Sequence, residues 1–300
     1  MKKYTDKIIT TINKHLPTNE DAWLLLGFVN KEKTIYTFGN DSKIIGRLFE
    51  VLVKDALEAA AADLNYTLRE AEKQTVYPDF YFEKEGGKKI AIDIKTTYRK
   101  TETSKYRFTG GSFTSFMRNG TKNIHGEYSD YVAHYILGIV YTREEHPTTG
   151  TVNIDDLNTI IPAYKNVEFF VQEKFRICGD SKGSGNTDNI GTISSNRLDP
   201  FIYGAGPFSY LGKDTFHDYW THYPKYKDGD ETKKSLYTNL PGYIEWIKKK
   251  DKEKGGLLEE KYNKYLEDFK KQEDTWNNQC SHCKETTAIQ FWYRYGFFLA

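Results

Sequence analysis

The chain has 300 residues, 38% of them apolar and 15% aromatic, which suffices for one large Tyr- and Phe-rich domain or a domain with an appendage. No stretch approaches the ~20 apolar residues of a membrane span, and three cysteines, Cys178, Cys280 and Cys283, leave an odd thiol instead of a disulfide framework. With 43 basic against 42 acidic residues the net charge is +1, which excludes a simple electrostatic clamp for nucleic acid.

Residues 1–6 lack the apolar region of a signal peptide, so a cytoplasmic protein with no membrane partner is expected. Ile8, Ile9, Ile12 and Leu16 predict a short helix over 4–16. Residues 22–38 read as two strands around a polar turn at Asn30-Lys31-Glu32-Lys33. Asp41 or Ser42 caps a long helix to about residue 64, with Ile44, Leu48, Leu52 and Ala56 at helical spacing. A hairpin follows, 76–85 and 88–98, joined at Gly86-Gly87. Segments 131–142 and 166–178 supply two further strands. Gly, Ser, Thr and Asn fill 181–198, predicting a long loop, and such loops in compact domains are usually functional or disordered. Residues 214–248 read as helical around Tyr219, Trp220 and Trp246. Lys and Glu dominate 249–275, where Leu257, Leu258, Tyr262, Leu266 and Phe269 form a helical stripe. The layout predicts a mixed α/β (α+β) domain over 1–248 and a helical C-terminal appendage over 249–300.

The most informative residues are Pro78-Asp79 and Asp93-Ile94-Lys95. Strand side chains alternate faces, so burying Ile90, Ile92 and Ile94 turns Asp93 and Lys95 to the opposite face together. A three-residue hairpin loop at 85–87 sets Asp79 opposite Asp93, with Cβ atoms about 4.5–5.5 Å apart. A two-residue loop puts them on opposite faces. Two carboxylates that close repel unless a cation lies between them, and a few hard oxygens completed by water and phosphate suit Mg²⁺. Such an ion polarises a phosphodiester and activates water, while Lys95 orients that water or stabilises developing charge. The plainer reading is a hairpin with solvated charges.

The surrounding residues carry a resemblance. Tyr77-Pro78-Asp79-Phe80 and the run from Lys88 to Tyr98 are followed by Thr114-Ser115-Phe116, Arg118-Asn119 and Thr121-Lys122-Asn123-Ile124. Then come Tyr141-Thr142-Arg143, Gly179-Asp180, Gly183-Ser184-Gly185-Asn186-Thr187 and Asn189-Ile190-Gly191, with Asp218-Tyr219-Trp220 matching more weakly. In this order they resemble the EcoRV-type type II restriction endonucleases of the PD-(D/E)xK nuclease superfamily, over about residues 20–248.

The resemblance implies a restriction-endonuclease-like core, a mixed central β-sheet flanked by helices. It implies a type II site-specific deoxyribonuclease that hydrolyses double-stranded DNA with Mg²⁺, for which Mn²⁺ substitutes. Asp79 and Asp93 become metal ligands and Lys95 the catalytic amine. Glu50 becomes an additional acid that binds or positions a second metal, although an exposed helix glutamate is the alternative. Lys43 and Lys122 fall near the active site and DNA backbone, or are surface lysines; Thr114 and Ser115 fall at the DNA. Gly183, Ser184, Gly185, Asn186, Thr187 and Asn189 match a loop that enters the major groove. Gln74 and Thr75 match a loop along the minor groove. Independently, glycines allow close backbone approach, Asn pairs with adenine and a Thr methyl meets a thymine methyl. The family target is GATATC, cut bluntly at its centre and read partly through its flexible TA step. A palindrome calls for a homodimer, with the N-terminal helix and residues 22–38 at its contact.

Departures affect specificity more than catalysis: Asp188 replaces a threonine, Thr75 an asparagine and Val76 a histidine, and the turn between Asp79 and Asp93 is two residues shorter. Residues 249–300 lie outside the resemblance, and Cys280, His282 and Cys283 are read as ordinary residues or as an incomplete zinc site. The rival functions are a catalytically inactive DNA-binding module of the same fold and a related nuclease of different specificity.

Overall fold

The computed structural model describes residues 6–73, 75–101, 103–183, 188–224 and 237–279, with side chains to 271. Asp6 accepts from Ile8 N to start α1 (Lys7–His15), which turns Ile9 and Ile12 inward. A 3-10 turn, Glu20–Trp23, precedes short strands β1 (Phe28–Val29) and β2 (Thr34–Tyr36). Only part of the predicted pair therefore forms, because Trp23 is buried against Phe169 and Phe49. Asp41 accepts from the amides of Lys43 and Ile44 and opens α2 (Ser42–Asp63). Its buried stripe is Ile45, Phe49, Val53, Leu57 and Ala60, displaced from the expected set, of which Ala56 alone is buried. The Phe49 ring, which meets Trp23, Tyr141 and Tyr164, decides the helix rotation.

β3 (Thr67–Glu70), β4 (Phe80–Glu83) and β5 (Lys89–Arg99) follow; then β6 (Thr109–Ser112), β7 (Tyr131–Arg143), β8 (Thr151–Asn153) and β9 (Tyr164–Glu173). The main sheet has the order β3-β4-β5-β7-β9, parallel only between β5 and β7. One face packs on α1 and α2 through Phe80, Phe82, Ile90, Ile92 and Ile94. The other packs Tyr81 and Ala91 with Tyr77, Phe113, Phe116 and the later helices. At about 1.5–3 kcal/mol per buried isoleucine, the three isoleucines of β5 determine which way its polar residues point.

The predicted strand 166–178 is broken. β9 ends at Glu173, a helical turn α3 (Lys174–Ile177) intervenes, and β10 (Cys178–Lys182) starts a second sheet. The predicted loop 181–198 is partly a hairpin, because β11 (Asn189–Thr192) pairs with both β10 and β6. A Cβ on Gly110 in β6 would meet Cys178 Sγ at 2.9 Å, and Gly111 has φ +85°, so this crossing requires its glycines.

The helices α4 (Asp199–Ile202), α5 (Phe208–Leu211), α6 (Lys213–His222), α7 (Leu240–Lys248) and α8 (Lys252–Gln279) complete the chain. In α8 the inward line is Gly255, Leu258, Tyr262 and Tyr265. Leu257 and Leu266 face solvent, unlike in the predicted stripe. Leu258 joins the cluster that holds Tyr243 and Ile247, and Tyr210 OH donates to Asp268 at 2.9 Å. No helix among the described residues is long and apolar enough to cross a membrane.

Candidate active site

The hairpin register sets the site. β4 and β5 pair Phe80 with Ile92, Tyr81 with Ala91 and Phe82 with Ile90. Gly87 N donates to Lys84 O at 2.9 Å, and Gly86 turns with φ +62°. This is the three-residue loop, so one further pair in the same register sets Asp79 opposite Asp93.

The two carboxylates meet Lys95 in a largely buried cluster. Asp79 Oδ2 accepts from Ile94 N at 2.7 Å and lies 4.0 Å from Lys95 Nζ. Lys95 Nζ lies 2.8 Å from Oδ2 of Asp93, a residue only 2% exposed. Burial, and then the Asp93 charge, push the Asp79 carboxyl up to about 7. Burial works against the Lys95 ammonium, but Asp93 and Asp79 outweigh it and hold its pKa above the usual lysine value.

A strap on the chain fixes Asp79 from the other side. Tyr77 N donates to Asn123 O at 3.0 Å and His125 N to Tyr77 O at 2.9 Å. Buried Ser115 donates its hydroxyl to Lys122 O at 2.7 Å, anchoring the same strap. Ser115 and Thr75 share a cavity with Asp79, Asp93 and Lys95, whereas Thr114 lies at its edge, its Oγ1 3.3 Å from Ser112 Oγ.

A cleft beside Asp79 is lined by Lys43, Arg47, Glu50, Glu70 and Thr96. Glu50 is not drawn into the carboxylate cluster: Arg47 Nη1 holds it at 2.5 Å and reaches Glu70 at 3.3 Å. Its negative charge still acts on Asp79 and Lys95. Among the described residues no group of three or more His, Cys, Asp or Glu side chains converges as a metal cage. The pair of carboxylates offers hard oxygen donors of the kind Mg²⁺ accepts while keeping several waters.

Gly183 N donates to Asn189 O at 2.8 Å, beside the pairing of β10 with β11. The added charge of Asp188 meets Lys182 Nζ at 3.3 Å, and its carbonyl accepts from Phe113 N. Ser184, Gly185, Asn186, Thr187 and Gln74, with Cys280, His282 and Cys283, lie outside the described residues.

Sequence reading passed over Arg47 and Asn123. Arg47 precedes Glu50 by three residues, a helical ion-pair spacing that signals the contact. Asn123, with φ +54° and its carbonyl on Tyr77 N, had only its place in a matched segment to mark it.

Comparison with known proteins agrees with this architecture. The family described as Restriction endonuclease EcoRV matches residues 19–248. The type II restriction enzyme EcoRV of Escherichia coli is 41% identical over 225 residues, which cover 74% of this chain and 89% of that enzyme. Those matched residues include both strands of the carboxylate hairpin and the β10–β11 hairpin. The chain belongs to the EcoRV family of type II restriction endonucleases.

Proposed function

We propose that the protein cuts double-stranded DNA at GATATC or a closely related palindrome, leaving blunt ends with 5′-phosphate and 3′-hydroxyl groups. The observation that carries this reading is the cluster of Asp79, Asp93 and Lys95 on one face of the β4–β5 hairpin. Asp79 and Asp93 would hold Mg²⁺, or Mn²⁺ in its place. When bound, the ion supplies charge that polarises the scissile phosphate and lowers the pKa of a nearby water.

The protein's own residues do the rest. Lys95, kept protonated by its two carboxylate neighbours, donates to the attacking water or to the phosphorane as negative charge develops. Ile94 N orients Asp79. Glu50, restrained by Arg47, acts on the pair through space, and a second ion at Glu50 has to displace that guanidinium. Lys43 and Lys122, exposed beside the cleft and on the strap, are suited to phosphate contacts.

Specificity is assigned to the β10–β11 hairpin, with Asn186 pairing an outer adenine. The ion pair with Lys182 offsets the charge of Asp188, which favours a target like that of the relatives. Thr75, lining the catalytic cavity, is assigned to the minor-groove side with Gln74. A palindrome read by one such hairpin per half requires a two-fold dimer. Strands β1 and β2 support one, exposing Phe28 (50%), Val29 (57%) and Tyr36 (47%). Residues 249–300 are assigned to a helical extension of the catalytic domain.

The test is a plasmid with one GATATC site, incubated with Mg²⁺ or with EDTA, and sequencing of the ends. Blunt linearisation at the centre of the site, only with Mg²⁺, is expected. Cleavage elsewhere discards the target and keeps the enzyme; folded protein that binds DNA without cutting it sinks the catalytic reading.

A further inference from the structure

Behind the carboxylate pair the molecule buries a second ammonium. Lys174, where β9 gives way to α3, is 1% exposed, and its Nζ has no hydrogen-bond partner among the described residues. A buried ammonium so placed is costly unless opposite charge lies near. Nζ sits 4.5 Å from the centroid of the Tyr77 ring and 4.8 Å from that of Phe116. The two rings stack at 4.2 Å. A Cβ placed on Gly111 would lie 3.5 Å from the same nitrogen. Tyr77, Gly111 and Phe116 are also walls of the cavity that contains Asp79, Asp93 and Lys95. The ammonium therefore stands one layer of aromatic rings behind the catalytic groups.

We propose that Lys174 is a positioning residue: a fixed counter-charge that balances the Asp79–Asp93 pair before a divalent cation binds and weakens the hold on that cation afterwards. This rests on the reading that the pair holds the cation. With both carboxylates ionised, as cation binding requires, Lys95 alone leaves one buried negative charge, and Lys174 cancels it. Coulomb interaction falls only inversely with distance in a poorly solvated interior, so a layer of rings does not abolish it. The negative ring faces hold the ammonium in place. Burial pulls the Lys174 pKa down to about 8, and Asp93 is the charge that most resists this, with Asp79 adding to it. On its other side stand His134 and His217, both held neutral chiefly by burial, and Lys213 is the cation that acts on both.

The counter-charge makes an unusual demand, that removing the charge while roughly keeping the side chain's size tightens metal binding. Full-length wild type, K174M and K174Q are titrated with Mn²⁺ by calorimetry and by electron paramagnetic resonance, and their thermal midpoints are recorded with and without Mn²⁺. Both variants are expected to bind Mn²⁺ roughly 3–10-fold tighter than wild type. Added Mn²⁺ should raise their thermal midpoints further than it raises that of wild type. Mn²⁺ affinity unchanged or weakened in a folded variant overturns the proposal and leaves Lys174 as a packing residue. Should neither variant fold, K174R must fold and bind Mn²⁺ as wild type does; its failure also overturns the proposal. Mn²⁺ binding that is absent in wild type, or equal in wild type and D93A, overturns instead the metal reading beneath it.

Discussion

The two hairpins of the molecule invite comparison. The β4–β5 hairpin is flanked by β3 on one side and by the long parallel strand β7 on the other, with a packed layer on each face. Among the described residues the β10–β11 pair adjoins only the four-residue β6, and Asp188 beside it faces a lysine. Under the proposed function the first carries the groups that act on any phosphodiester, and the second those that choose a sequence. Chemistry common to all substrates is set into the rigid centre, where a shift of about 1 Å is costly. The proposed readout hangs from a small sheet, anchored to the core by Cys178 and Ile190. Of the expected departures from the family pattern, Thr75, Val76 and Asp188 belong to the readout side or to the cavity rim, and the shorter turn falls at the far end of the first hairpin from its carboxylates.

Substitutions in the first hairpin should therefore be far more damaging than substitutions in the second. D93A is expected to reduce Mg²⁺-dependent plasmid cleavage to background. Its metal-free thermal midpoint should fall while the protein stays folded, because Lys95 and Lys174 lose a buried counter-charge. Cleavage by folded D93A would take Asp93 out of the site. K95A is expected to lower the single-turnover cleavage rate about 10²–10³-fold while DNA binding, measured by gel shift in Ca²⁺, stays within about twofold; equal losses in both would reassign Lys95 to DNA binding. The pH dependence comes next. Asp79, pushed up to about 7 by burial and by Asp93, must shed its proton before it can ligate a cation. The Mg²⁺ concentration for half-maximal cleavage should then fall about tenfold per pH unit up to about pH 7 and level off above it. A flat profile below that point would contradict the raised value. In the second hairpin, N186A should cost only about 1–3 kcal/mol of discrimination at an outer adenine, read from competition between cognate and substituted duplexes. Unchanged preference would move readout away from this loop.

The two hairpins also differed in how legible they were. In 89–95 isoleucine alternates with Lys89, Ala91, Asp93 and Lys95, which leaves one solution once the isoleucines are buried, so the face of Asp93 and Lys95 follows from the strand period. The hairpin loop length was open between two registers, and Gly86 with Gly87 resolved it as three residues. In contrast β6 contains Gly110-Gly111, poor strand formers, and exists because β11 lies beside it. That pairing also makes part of the predicted loop into a hairpin. On α2 the apolar residues come in adjacent couples, Ile44-Ile45, Leu48-Phe49 and Leu52-Val53, so spacing alone does not separate two neighbouring faces. Only the packing of Phe49 chooses between them. Lys174, at a strand end, reads as a solvated lysine, and nothing local announces that Tyr77 and Phe116 cover it.

The central claim is that Asp79 and Asp93 act together on one cation in the first hairpin. It is tested most directly by locating Mn²⁺ through its anomalous scattering in crystals of the full-length protein with a cognate duplex. The account predicts a peak within coordination distance of both carboxylates, about 2.0–2.2 Å from oxygen, and beside the scissile phosphate. A peak held by Glu50 and Glu70 in the neighbouring cleft, with Asp93 left on Lys95 alone, would contradict it.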